Sequence, residues 1–227
     1  MKKTLYTLVV DGYSQELTAL THPLLKRYAD KMRADFFVIT QRKWPMMPPV
    51  YEKFQIYDLA RERGDERSLY IDSDALVHPD FYDISDYVPR DTVCHNGSDN
   101  AGNRWTYDEF FRRDGRHIGS CNWFTLCSDW TLDLWRQQDD LTYAEMLARI
   151  HPTLEELRTV ITADHLIDDY ILSRNIARYG LKFTTVGEIM KRMGDTGNYL
   201  WHQYTLPLPE KIEQMKAVLS NWKVVCA

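Results

Sequence analysis

Three short runs, TLYTLVV at residues 4–10, ADFFVIT at 34–40 and RSLYI at 67–71, alternate with segments whose apolar residues recur at helical spacing. The runs are too apolar for strands with one face in water, and each gap is long enough for a crossover helix. This alternation predicts an α/β fold, Rossmann-like in its first half, with a mostly parallel central sheet flanked by helices. Helices are expected over residues 14–32, with Leu17, Leu20, Leu24, Leu25, Tyr28 and Met32 on one face, and over 51–63, with Phe54, Ile56, Tyr57, Leu59 and Ala60. Beyond them the pattern predicts strands at 121–127 and 181–186 and helices at 129–137, 153–160, 164–180 and 209–223. A long polar connection spans 95–120, within which residues 105–111 suit a short helix. At 227 residues the chain fits one domain, residues 1–227, with halves at 1–90 and 91–227.

Charge narrows the partners. With 28 basic and 33 acidic side chains the net charge is -5, which argues against a phosphate backbone and hence against nucleic acid. Cys94, Cys121, Cys127 and Cys226 show no C-x-x-C spacing and predict reduced thiols, so a cytoplasmic location is expected. The opening apolar run breaks at Asp11 and Gly12 without a cleavage site, and no run approaches the roughly 20 apolar residues of a membrane span. Peripheral membrane contact stays open. The seven Trp and fourteen Tyr mostly suit the core, and a remainder with Trp105, Tyr107, Arg116 and His117 in the polar connection suits an acceptor lid that stacks on flat partners such as nucleobases or sugar faces.

The stretch SLYIDSDALVHPD sets Asp72 and Asp74 directly behind an apolar strand. In an open α/β sheet ligands bind outside the carboxyl ends of strands. Residues i and i+2 of an extended segment share a side, so both carboxylates face one point while Ser73 faces away. Two converging carboxylates repel unless a cation neutralises them, and a divalent metal with phosphate-bearing substrate is the natural solution. A turn closed by the aspartates is the competing explanation.

Residues 52–80, EKFQIYDLARERGDERSLYIDSDALVHPD, resemble the D-x-D region of GT-A fold glycosyltransferases. Further segments are similar in the same order: residues 7–39 to the nucleotide-binding first strand and helix, CNWFTLCSDWTLDLW to the strand that starts at a sugar-contacting Asn, and IDDYILSRNIARYGLKF to the acidic helix start. YLWHQY resembles the late strand that ends in a metal-binding His. The chain departs from that pattern in reading NWF at residues 122–124 where small residues are usual, and in lacking a Gly after His202.

The resemblance implies a GT-A nucleotide-diphospho-sugar transferase fold and transfer of a sugar from a nucleotide-diphosphate sugar, UDP-linked by expectation, to a hydroxyl of a glycan, lipid-linked or protein acceptor. It is closest to retaining, family-8-like bacterial enzymes. By the same resemblance Asp72, Asp74 and His202 hold Mn²⁺ or Mg²⁺, and an imidazole among carboxylates shifts the preference towards Mn²⁺. Asp169, Asp168 and Asn122 are the expected catalytic residues. Asp11, Gly12, Tyr13, Lys53, Asp72, Ser73 and Lys211 are the expected nucleotide-binding residues. An alternative register puts Asp164 and His165 at the acidic helix start. A nucleotidyltransferase also sets paired aspartates behind a strand, but it ordinarily carries a basic, Gly-rich first loop that VDGYSQE lacks; a non-catalytic sugar-nucleotide or carbohydrate-binding module is the other alternative.

Overall fold

The computed structural model describes residues 1–96, 103–105, 123–152, 162–203 and 206–224, the side chains of 103–105 and 151–152 excepted. The expected helix at 153–160, Asn122, Cys121, Cys226, and the lid residues Tyr107, Arg116 and His117 lie outside the described residues.

Strand β1 (Lys3–Leu8) leads into helix α1 (Gln15–Met32), and β2 (Asp35–Ile39) leads through a 3-10 segment (Pro49–Gln55) into α2 (Ile56–Arg63). Strand β3 (Arg67–Ile71) is followed by the two-residue β4 (Leu76–Val77), β5 (Thr92–His95), β6 (Asn103–Trp105) and β7 (Phe124–Ser128). The second half continues with α3 (Tyr143–Leu147), β8 (Ile150–Pro152), α4 (Ile167–Arg178), β9 (Lys182–Thr185), α5 (Val186–Met193), β10 (Leu200–Trp201) and α6 (Leu208–Asn221). The central sheet has the order β2-β1-β3-β7-β5-β9. Its pairs β1·β2, β1·β3 and β5·β9 are parallel, and β7 alone runs against its neighbours β3 and β5. The fold is therefore the expected α/β class with a mostly parallel sheet between helices.

Alternation along the strands feeds both faces. Tyr6 and Tyr70 pack on one side with Phe54, Ile56, Trp135, Tyr170 and Ile171. Leu5, Leu69 and Ile71 pack on the other with Leu25, Ala29, Phe124, Leu126 and Ile189. A third cluster joins α1 to α6 through Leu17, Leu24, Leu76, Met215 and Leu219, and so brings the end of the chain beside β4.

Several elements differ from the sequence expectation. Residues 51–63 begin as 3-10 turns because the prolines at 48 and 49 set the entry, and the α-helix starts only at Ile56. Residues 129–137 hold a short 3-10 segment (Leu132–Trp135) whose following loop is pinned by Asn175, with its amide donating to the carbonyls of Leu134 and Arg136 at 2.9 and 2.6 Å. Residues 103–105 form β6, paired with β8, so Trp105 lies in a strand, while residues 106–111 of the short helix expected over 105–111 lie outside the described residues. Helix α5 was not anticipated, although Thr185 and Glu188 form a reciprocal capping box at its start. Cys94 and Cys127 are buried free thiols, and burial pushes Cys127 up to about 12. No described helix is long and apolar enough to cross a membrane.

The segment after β3 is tied to α1. Fully buried Thr21 donates to the Ser73 carbonyl at 2.5 Å, and the Ser73 hydroxyl donates to the Leu8 carbonyl and lies 3.0 Å from the Thr7 hydroxyl. Thr21→Val keeps the shape but leaves the Ser73 carbonyl without this donor. The expected cost is about 1–3 kcal/mol, read as a lower urea midpoint with an unchanged m-value.

Candidate active site

Asp72 follows the last residue of β3, and its amide donates to the carbonyl of Trp123 at 2.8 Å, extending the β3·β7 ladder by one step. The chain then turns, with Ala75 N–H donating to the Asp72 carbonyl at 3.1 Å. The turn does not divert the carboxylates from a common point. Oxygens of Asp72 and Asp74 and a ring nitrogen of His202 all lie within 4.8 Å of one another. His202 arrives from the distant end of the chain because β10 pairs antiparallel with β4, matching Leu200 to Val77 and Trp201 to Leu76.

Each carboxylate has one oxygen engaged elsewhere and one directed at the imidazole. Asp72 Oδ1 accepts from the Tyr70 hydroxyl at 2.6 Å and lies 3.1 Å from Lys53 Nζ, while its Oδ2 is 3.7 Å from His202 Nε2. Asp74 Oδ2 accepts from Lys211 Nζ at 2.6 Å, and its Oδ1 is 3.2 Å from His202 Nε2. Asp72 Oδ2, Asp74 Oδ1 and His202 Nε2 thus form a convergent donor set of two oxygens and one imidazole nitrogen. Such a set fits a divalent cation, and the outer contacts hold its members in place.

Lys53 also donates to Asp168 Oδ2 at 2.6 Å and lies over the Tyr70 ring. Lys53 and Asp168 are each 4 % exposed. Burial works against the Lys53 charge, but the carboxylates of Asp168 and Asp72 outweigh it and hold its pKa well above the ordinary lysine value. Burial by itself would raise Asp74; the hydrogen bond and charge of His202, together with Lys211, override it and hold that carboxyl well below the usual range. The Tyr70 phenol is pushed far up by burial and by Asp72. Tyr13 is pushed up by burial and by the neighbouring carboxylates of Asp74 and Asp72.

The expected residues fall into distinct places. Asp72, Asp74, His202, Lys53, Lys211, Asp168 and Tyr13 come together. Asp11 and Gly12 form a left-handed pair, φ 54° and 73°, closed by Tyr13 N–H to the Val10 carbonyl at 3.2 Å. The turn aims Tyr13 at the aspartates, whereas the Asp11 carboxylate takes an ion pair from Arg42, which also holds Glu52. Gly12 has open space around it, so its requirement is the positive φ. The Ser73 hydroxyl points into the sheet rather than at the carboxylate cluster. Asp169 is half-buried in the first turn of α4, its amide donating to Asp168 Oδ1 at 3.0 Å. Asp164 and His165, the alternative register, are exposed, and Asp164 accepts from Tyr143. Two residues of the site were not anticipated. Tyr70 lies near the end of β3, two residues before Asp72, a spacing of extended backbone that places both on one face. Trp123 follows Asn122, but its stacking on His202 joins positions too far apart in the chain for any local pattern to reveal.

Lowered in the folded state, the Asp74 pKa contributes stability that is present above the unfolded value of about 3.9 and is lost as pH falls below it. Denaturant melts of the metal-free protein between about pH 2 and 5 are expected to show this slope below about pH 4, and Asp74→Asn to flatten it. Asp74→Ala at neutral pH strands the buried Lys211 and is expected to lower apo stability by about 3–5 kcal/mol.

No protein-family model matches the chain, and comparison with curated protein sequences finds no match either. Among solved structures, it resembles a glycosyltransferase involved in the glycosylation of the major capsid of PBCV-1, with 11 % identity, 94 % of this chain and 99 % of that one covered, and a TM-score of 0.50. The apo-form glycosyltransferase GlyE of Streptococcus pneumoniae TIGR4 gives a TM-score of 0.47 at 12 % identity, covering 98 % of this chain and 63 % of that one. The inositol-1-phosphate CTP transferase from T. maritima gives 0.44 at 12 % identity, covering 100 % and 98 %. The chain has a GT-A-like fold, shared over nearly its whole length with the capsid glycosyltransferase.

Proposed function

We propose that the protein is a metal-dependent glycosyltransferase that moves a sugar from a nucleotide-diphosphate sugar, UDP-linked, to a hydroxyl acceptor with retention of configuration. The observation that carries this proposal is the convergence of Asp72, Asp74 and His202 at the carboxyl edge of the sheet, with Lys211 on Asp74.

Asp72 Oδ2, Asp74 Oδ1 and His202 Nε2 would hold Mn²⁺. Bound there, the cation supplies Lewis-acid stabilisation of the departing diphosphate. Lys211 lies in the first turns of α6, where unpaired backbone N–H groups and the helix dipole favour an anion. Its ammonium is placed to exchange Asp74 for a diphosphate oxygen. Tyr13, held against the aspartates by the turn at Asp11 and Gly12, offers a ring face for the nucleobase.

Asp168 acts through charge. Its ion pair with Lys53 occupies Oδ2, and its burial keeps it from collecting a proton from an acceptor, so it is suited to stabilising positive charge on the transferred sugar. With Asp168 committed to Lys53, the carboxylate base of an inverting mechanism would have to be Asp169; retention rests on the likeness of the YIDSDALV strand and the late His202 to retaining enzymes. Asp169 is the remaining acid for contact with the sugar or acceptor, and Asn122 for the donor sugar. Acceptors are glycan, lipid-linked or protein hydroxyls.

Incubation of purified protein with Mn²⁺ and a panel of nucleotide sugars is expected to release nucleoside diphosphate, UDP from its own donor, and to lose that activity to a chelator. Asp169→Asn is expected to reduce turnover by roughly 100-fold while leaving donor affinity within a few-fold. Pyrophosphate release from a nucleoside triphosphate and a sugar phosphate would instead identify a nucleotidyltransferase. Saturable binding without turnover of any donor would identify a binding module.

A further inference from the structure

We infer that Trp123 is a positioning residue for the divalent-metal site, holding two of its ligands from two different elements at once. Its carbonyl accepts the Asp72 amide at 2.8 Å, and its indole stacks on the His202 imidazole with ring centroids 5.2 Å apart and planes inclined by 22°.

The need for such support follows from how His202 is delivered. It lies just beyond β10, a strand of two residues, so the backbone ladder ends before it. An imidazole at a strand end turns about both side-chain torsions, and only one ring edge presents Nε2 to Asp72 and Asp74. A flat neighbour against the ring face restricts those rotations without covering the nitrogen lone pair, which lies in the ring plane. Trp123 is itself fixed. Its ring meets Phe124 edge-on at 6.2 Å and packs against the apolar cluster beneath the sheet. Because Trp123 immediately precedes β7, one residue sets the height of the Asp72 backbone and the tilt of the His202 ring together.

The stack also favours the loaded state. Coordination through Nε2 withdraws electron density from the imidazole, and an electron-poor ring over an indole face is attracted more strongly than a neutral one. Trp123 therefore raises metal affinity beyond its effect on folding. This inference rests on the metal site proposed above.

The test is Mn²⁺ titration followed by electron paramagnetic resonance, with wild type, Trp123→Leu and Trp123→Phe compared at matched fold content by circular dichroism. Leu fills apolar volume without an aromatic face, and Phe restores the face. Trp123→Leu is expected to weaken Mn²⁺ binding roughly 10–100-fold, the usual effect of removing an outer support of a metal ligand, and Trp123→Phe to recover most of the loss. Equal affinity of Trp123→Leu and wild type, or equal losses in both variants, would overturn the inference. Absence of Mn²⁺ binding by wild type would sink the metal site itself, a distinguishable outcome. If Trp123→Leu does not fold, the metal-free wild type decides through NMR. The His202 ring protons, assigned with His202→Gln, are expected upfield of ordinary histidine positions in the indole ring current, and unshifted resonances would overturn the stack.

Discussion

Carboxylates buried at the edge of a sheet must be compensated, and here the compensation takes the form of a line in which acidic and basic side chains alternate. It runs Asp168, Lys53, Asp72, His202, Asp74, Lys211, with successive separations of 2.6, 3.1, 3.7, 3.2 and 2.6 Å. Leaving out any member strands its neighbours in a medium that penalises lone charge. The members come from α4, the 3-10 segment before α2, the end of β3, the end of β10, the turn before β4, and α6. The line therefore couples both halves of the chain, and the α1·α6 packing around Leu17, Leu76 and Met215 serves to keep Lys211 within reach.

With the imidazole neutral, three carboxylates and two ammonium groups leave this line with an excess of one negative charge. A divalent cation at the imidazole would reverse that sign, as the proposed diphosphate substrate requires. The turn that competes with metal binding as an explanation of Asp72 and Asp74 is present, yet it excludes nothing. The Ala75 amide closes it through the Asp72 carbonyl, and Ser73 anchors it in the sheet, which leaves both carboxylates on the same side.

The strands and helices of the first half were legible because each carries its own periodicity, and the D-x-D was legible because its position at a strand end has a physical meaning. The reversal of β7 was not legible. Strand direction is set by which neighbours close the sheet, and nothing within FTLCS encodes it. Lys53 is the instructive case among the site residues. A lysine on an amphipathic segment reads as solvated, as a phosphate contact or as a residue that positions Asp72; folding puts it beside Asp72 and adds Asp168, which no local pattern links to either. His202 followed from the resemblance of its segment, and Lys211 was expected at the nucleotide although its segment departs from the pattern, but their shared contact with Asp74 exists only once β10 pairs with β4. Helix α5 carried a capping box in plain view at Thr185 and Glu188; its short length, eight residues, left too little periodicity to draw it.

The proposed activity stands on a divalent cation held by Asp72, Asp74 and His202. Anomalous X-ray diffraction from crystals soaked with Mn²⁺ and a nucleoside diphosphate tests it directly. The expected result is a manganese peak within ligand distance of Asp72 Oδ2, Asp74 Oδ1 and His202 Nε2, with Lys211 turned from Asp74 to a phosphate oxygen. A peak elsewhere, or bound nucleotide without manganese while Lys211 and His202 keep their contacts with Asp74, would contradict it.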